Sequence, residues 1–239
     1  MVAVRWFTGF LDSPSPASDS FWCAVTGSVL SERRDGGRFA TLVPSVGDAC
    51  LRVQVVGSPP PRTHLDVHVV GVPAAVAEVV GLGASVVVDL GDVVVVRSPA
   101  GLVFCLVEWA GEARRPEPVR WGGGQLSVVD QVCLDVPAGM FEGKAVFWSS
   151  LTGWERRSSD LPEFAYLERP AGMPLRLLMQ RVGGSPGMHL DFACDGVDVE
   201  VARHVGLGAS VVRRVPGDWT TLRDPVGREY CVTARSPVW

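Results

Sequence analysis

HLDFACDGVDVEVARHVGLGASVV, residues 189–212, organises the reading of this chain. It opens on a histidine and an aspartate two apart with an apolar residue between them, and it closes on a glycine-rich step into a β-branched run. HLDV stands at 64–67 and VGLGASVV at 80–87, each 125 residues upstream of its counterpart. FWCAVTG (21–27) likewise matches FWSSLTG (147–153), and RSPAGLVFC (97–105) matches RDPVGREYC (223–231), both at an offset of 126. A slip of one residue suits single-residue changes in loops. The chain is therefore read as two tandem copies of one unit, and two copies of this length exclude a solenoid of short repeats. GEARRPEPVRWGGGQ (111–125), rich in Gly, Pro and Arg, reads as the join. The expected division is a domain at 1–112, a linker at 113–125 and a domain at 126–239.

Each copy is itself doubled. In the second, LSVVDQVCLDV (126–136) reads as a strand and GMFEGKAVFWSSLTG as a helix closed by Gly153 in a left-handed cap. Strands follow through FAYLERP and LRLLMQRV. The order then restarts with MHLDFAC as strand, VDVEVARHVG as helix, and SVVRRVP, WTTLRDP and REYCVTA as strands. The predicted class is α+β, with a strand, a helix and three strands repeated twice per domain. GLGAS follows a helix, so helix termination explains it better than a phosphate-binding loop does. GGG at 122–124 reads as linker flexibility.

Alternation along a strand assigns the polar pair to one face. His189 and Asp191 share a face opposite Leu190 and Phe192; His64, Asp66 and His68 share a face opposite Leu65, Val67 and Val69. The following helices carry apolar stripes and should cover the apolar face. An unpaired carboxylate under them would cost several kcal/mol. The His/Asp face should thus look onto solvent or a hollow. By the same parity Gln131, Cys133 and Asp135 share a face, as do Glu229 and Cys231.

Composition bounds the rest. The 239 residues are 47% hydrophobic and 20% charged, with a net charge of −4. That balance argues against a nucleic-acid binder and against attachment to anionic lipid. The opening MVAVRWFTGFLDSP has Arg5 within its apolar run and no small-residue cleavage site, and Pro73, Glu78, Asp89 and Asp92 interrupt the most apolar stretch. A soluble, cytoplasmic protein is expected. Six cysteines without C-x-x-C spacing are expected to be reduced and semi-buried. The tryptophans are expected to serve core or interface packing.

FWSSLTGW, HLDF…HVGLGAS and RDPVGREYC together resemble the vicinal oxygen chelate superfamily, and within it the glyoxalase and bleomycin-resistance-like proteins. The resemblance covers nearly the whole chain outside the linker. It implies paired βαβββ modules with curled sheets around a cavity and helices outside. It also implies, in many members, a divalent metal held by residues on the first and last strands of the modules. Carried over, Gln131 takes the first-strand ligand place and His189 the place that opens the second module. The last-strand place, usually a glutamate, holds Cys231, with Glu229 on the same face two residues earlier. Gln131, His189 and Glu229 are thus the metal candidates, for Zn, Ni, Mn or Fe, with Glu229 also the catalytic base. Arg5 takes the place of Gln131 in the first copy. Arg5, His64, Asp66, His68 and Asp191 are candidate ligand-binding residues, an arginine there suiting an anionic ligand.

Two functional classes follow. One is a metal-dependent lyase or isomerase acting on a small oxygen-bearing molecule, with metal in the second domain. Ring-cleaving oxygenation calls for two histidines and a carboxylate, and the candidate ligands of the second domain include one histidine, His189. The other is a metal-free protein that binds a small molecule or antibiotic without catalysis. The two copies are expected to form an intramolecular pseudo-dimer, with a homodimer left open.

Overall fold

The computed structural model describes residues 2–144 and 146–238. The first repeat runs β1 (Val4–Ser13), α1 (Asp19–Thr26), β2 (Val29–Leu30), β3 (Phe39–Val43) and β4 (Leu51–Val55). It then restarts with β5 (Arg62–Val69), α2 (Val72–Gly81), β6 (Ser85–Asp89), β7 (Val93–Arg97) and β8 (Val103–Glu108). After β9 (Val119–Arg120) the second repeat gives β10 (Leu126–Pro137), α3 (Phe141–Lys144), α4 (Val146–Thr152), β11 (Arg156–Ser158), β12 (Phe164–Leu167) and β13 (Arg176–Val182). Its second half is β14 (Gly187–Cys194), α5 (Val197–Gly206), β15 (Ser210–Val215), β16 (Trp219–Arg223) and β17 (Glu229–Thr233). The doubled strand–helix–three-strand order is the one read from the sequence. Of the helix expected over 139–153, Phe141–Lys144 and Val146–Thr152 are helical after a short 3₁₀ turn at Ala138–Met140, and residue 145 lies outside the described residues.

Each repeat forms one mixed, open sheet. The orders are β2-β3-β4-β1-β5-β8-β7-β6 and β11-β12-β13-β10-β14-β17-β16-β15. In both, the first and last strands of the second half pair in parallel after a helix and two strands: β5 with β8 and β14 with β17. Glycines end the helices where the sequence places them. Gly153 has φ +72° and Gly27 φ +67°, and Gly83 and Gly208 at φ +94° and +112° turn GLGAS from helix to strand. Those are left-handed values that a side chain resists.

The compact units do not follow the repeats. One comprises Met1–Gly9, His64–Arg114 and Val132–Met188; the other comprises Phe10–Thr63, Arg115–Gln131 and His189–Trp239. Each draws one half from each copy, and the aromatic contacts show why. In the first unit, Phe147 and Trp148 of α4 pack on Phe104 of β8, at centroid distances of 5.9 and 4.9 Å. In the second, Trp22 of α1 stacks on Phe192 of β14 and meets Tyr230 of β17 edge-on at 5.2 Å. Truncating a buried Trp of this kind costs about 3–5 kcal/mol, so these contacts weigh heavily in each unit's stability.

The units solve the same packing problem differently. In the second, Trp22 Nε1 donates to Asp224 (2.9 Å), and Arg228 closes the buried pair at 2.7 Å. The equivalent positions in the first copy are Ser98 and Leu102, and the indole nitrogen of Trp148 there has no hydrogen-bond partner. Under α5, Glu200 is fully buried and accepts from Ser127, Gln125 and Arg203, with His204 at 3.1 Å. The first copy has Ala75 and Val79 in place of Glu200 and His204.

This network also orders the end of the segment that reads as linker. β9 pairs with β10, and Gly124 at φ +89° shapes the turn between them. Trp121 donates to Ser127 at 2.8 Å and lies under the Arg203 guanidinium at 3.5 Å. GGG is thus part of a folded hairpin, its glycines serving turn geometry. No helix among the described residues is long and apolar enough to cross a membrane.

Candidate functional site

The site begins with strand register. β14 and β17 run parallel with Asp191 opposite Cys231, so their side chains emerge side by side on one face. His189, two residues up the strand, shares that face. The three residues bring one nitrogen, one oxygen and one sulfur within 4.8 Å of one another. His189 Nε2 lies 3.4 Å from Asp191 Oδ1. The opposite face carries Leu190 and Phe192, and the Phe192 ring meets His204 of α5 at 5.0 Å. The helix therefore covers the apolar face, as alternation predicts.

Asp191 is only 2% exposed. Gln131 Nε2 donates to its Oδ2, while its Oδ1 has no hydrogen-bond partner. Burial pushes its pKa up, opposed by His189, Arg235 and the Gln131 bond. Burial also pushes the Cys231 thiol up, helped by the Asp191 charge and opposed by a hydrogen bond from His189. Two acidic groups thus crowd one dry spot, which favours either protons or a cation there. Arg235 also forms a wall of a recess of about 560 Å³, with Asp195, Arg214 and Trp219.

The first unit repeats the arrangement. β5 and β8 are parallel with Asp66 opposite Cys105, and His64 Nε2 lies 3.5 Å from Asp66 Oδ1. His64, Asp66 and Cys105 also gather their donor atoms within 4.8 Å. His68, on the same face, is buried against Thr8 Oγ1 at 2.9 Å, with Glu112 at 3.5 Å.

The remaining candidates are placed elsewhere. Glu229 is half exposed at the start of β17 and pairs with Arg223 at 2.5 Å, outside the His189 cluster. It opens the strand, where its side chain reaches solvent before the chain enters the sheet. Arg5 is exposed, with its guanidinium 5.7 Å from the Trp109 ring. Thr8 bonds to His68, so the face of β1 turned to the histidines carries Thr8 and Trp6. Arg5 is three residues from Thr8, and an odd step along a strand changes the face. The sequence places Cys231 at the last-strand ligand place as a thiolate alternative to Glu229, with Cys105 as its counterpart in the first copy, and here both cysteines join the clusters. Both closed the matched RSPAGLVFC and RDPVGREYC motifs, the one available signal. None of the six cysteines forms a disulfide among the described residues, and five of them are buried.

The donor set suits a divalent ion. Bond lengths of about 2.0–2.2 Å to N and O place two donors of a tetrahedral site roughly 3.3–3.6 Å apart. The His–Asp separations of 3.4 and 3.5 Å match that edge. Imidazole, carboxylate and thiolate are ligands of borderline ions, and three protein donors leave a coordination position open.

Comparison with known proteins agrees with this architecture. The family model described as "Glyoxalase-like domain" matches residues 10–107 and again 131–233. Among solved structures, the Mn(II)-bound glyoxalase from Novosphingobium aromaticivorans superposes with a TM-score of 0.68 at 15% identity, covering 98% of this chain and 83% of that one. The 2,3-dioxygenase LapB from Pseudomonas sp. KL28 gives 0.66 at 14% identity, covering 98% and 93%. A variant of homoprotocatechuate 2,3-dioxygenase from B. fuscum gives 0.68 at 16%, covering 98% and 72%. No curated protein sequence matches the chain. At these identities the structural likeness speaks for the fold. With both repeats matched by the family model, the chain belongs to the glyoxalase-like domain family, within the vicinal oxygen chelate superfamily.

Proposed function

We propose that this protein binds a small oxygen-bearing molecule at a divalent ion held by the second unit through His189, Asp191 and Cys231. One observation carries the reading. A carboxylate oxygen that is buried and without a hydrogen bond, Asp191 Oδ1, sits at coordination-edge distance from an imidazole and beside a thiol. A bound ion would supply Lewis acidity to a carbonyl or hydroxyl oxygen at its open position. The protein's own part is orientation. Gln131 fixes the Asp191 carboxylate by its second oxygen, and the parallel register fixes Cys231 beside it. The Mn(II) of the glyoxalase neighbour supports a divalent ion in this fold.

Among the reactions the fold family suggests, lyase- or isomerase-type chemistry fits best. The ring-opening type of site, with two histidines and one carboxylate, is not assembled by one histidine, one carboxylate and one thiol. Glu229 is engaged with Arg223, which leaves Asp191 as the carboxylate of the site.

A second reading, a metal-free binder, has its own support. With Asp191 and Cys231 both pushed upward by burial, the cluster can also persist as a protonated, hydrogen-bonding wall. Metal analysis of the untagged full chain separates the two. Stoichiometric metal that disappears in His189→Ala and Cys231→Ser supports the ion site. A metal-free protein that takes up no Zn²⁺ overturns it and leaves the binder.

A further inference from the structure

We propose that the ligand of the second unit carries an anionic group, carboxylate or phosphate, at the end remote from its chelating oxygens, and that Arg213 receives it. The inference rests on the reading of His189, Asp191 and Cys231 given above and adds to it the class of substrate.

Strand register brings Arg213 to the site. Asp191 stands opposite Cys231, Cys231 opposite Thr221, and Thr221 opposite Arg213. Directly paired residues point to the same side of a sheet, so these four form one row across β14, β17, β16 and β15. Parity along β15 alone gives another answer. Val211 pairs with Leu222 and Leu222 with Tyr230, whose ring packs on His204 of α5, and Arg213 should follow Val211 to that covered face. The register shifts between Val211 and Arg213, and this bulge turns Arg213 onto the face of the cluster and Arg214 onto the other. The row also runs from dry to wet: Asp191 and Cys231 are buried, Thr221 is half-buried and Arg213 is exposed. A molecule chelated at the buried end therefore leaves toward Arg213, three strand spacings or about 14 Å away at the backbone.

The chemistry of Arg213 suits this role. Its guanidinium lies 5.8 Å from the centroid of the Trp219 ring and, among the described residues, makes no ion pair. Stacking uses the face of the guanidinium and leaves the N–H donors at its edge for an anion. The neighbouring cations are engaged. Arg223, on the same face of β16, pairs with Glu229, and Arg235 holds Asp130 through both terminal nitrogens. The first copy marks the contrast. Its equivalent row is Asp66, Cys105, Val95 and Val88, with Val93 in place of Trp219. The bulge at the same point there delivers a valine, so the receiving cation belongs to the second unit alone.

Calorimetry of the untagged full chain, Zn²⁺-loaded and chelator-stripped, tests this with three probes: the monohydroxamate of suberic acid, its methyl ester, and the analogue ending in a phosphonate. The hydroxamate offers two vicinal oxygens to the ion, and the far ends differ in charge. The loaded wild type is expected to bind an anionic probe roughly tenfold or more tightly than the ester. Whichever of the two anionic probes gains more identifies the anion. Arg213→Gln should abolish the preference. Arg214→Gln, which removes the same charge from the other face of the same strand, should keep it, and circular dichroism checks the fold of both variants. Equal, Zn²⁺-dependent binding of ester and anions, or equal loss of the preference in both variants, overturns the inference and leaves the ion site standing. A preference that depends on Arg213 and persists in the stripped protein supports the inference and overturns the metal reading. No binding of any probe overturns both.

Discussion

Asp191 lies directly beside Cys231 across a parallel strand pair, and one of its two carboxylate oxygens meets no donor. A carboxylate placed this way opposes folding unless something positive shares the site. Its raised pKa states the same fact in protonation terms.

Replacing Asp191 with Asn should therefore stabilise the metal-free protein. An amide can still meet Gln131 and carries no buried charge. The expected gain at neutral pH is about 1 kcal/mol, together with loss of metal uptake. Urea unfolding of the chelator-treated protein measures the first, and metal analysis the second. A destabilised variant would show that the carboxylate is already well satisfied.

Glu229 should matter little. Its exposed pair with Arg223 is of the kind worth about 0–1 kcal/mol. Glu229→Gln is expected to leave metal content unchanged and stability within about 0.5 kcal/mol. Loss of bound metal in that variant would return Glu229 to the site.

The buried pair of the second unit should behave as a unit. Arg228→Leu alone leaves Asp224 charged and buried, at an expected cost of about 3–5 kcal/mol. The double change Asp224→Ser with Arg228→Leu copies the residues that the first copy uses, and should cost less than Arg228→Leu alone. A double-mutant cycle in urea checks this. Additive losses would mean that the two side chains are not coupled.

Acid should loosen the second unit through Glu200. Burial opposes its charge, but bonds from Arg203, His204, Ser127 and Gln125 outweigh it and hold the carboxyl well below its ordinary value of 4.5. A depressed carboxyl stabilises the fold above its unfolded pKa, and that contribution fades as pH falls below about 4.5 toward the folded value. Glu200→Gln should lose about 3–5 kcal/mol at neutral pH. Its stability should also fall less steeply than the wild type's below pH 4.5. Parallel pH profiles for the two proteins would refute the assignment.

The fold was legible because its signals are local. GLGAS, the capping glycines and the alternation in HLDF each depend on neighbours a few residues away, and the doubled order of elements followed from them. What stayed hidden depends on distance along the chain. Asp191 meets Cys231 through a parallel pairing of strands forty residues apart, a register that no turn fixes. Arg5 was set against Gln131 by the 126-residue offset of the helix motif, whereas LDSP (11–14) and LDVP (134–137) stand 123 apart and set Thr8 there, three residues on and therefore on the other face. Glu229 shares parity with Cys231, yet sits at the strand's first position, where parity no longer implies burial. The exchange of halves between copies left no local trace. It shows in long-range contacts such as those of Trp22 and Trp148, which reach across more than a hundred residues in the first case and more than forty in the second.

That exchange acts as an evolutionary ratchet. Once α1 of one copy shields β14 and β17 of the other, and α4 returns the service to β8, neither duplicate can be deleted without stripping its twin. Selection on mechanical grounds then retains both, and the polar positions of either are free to drift toward a new ligand while the pair endures.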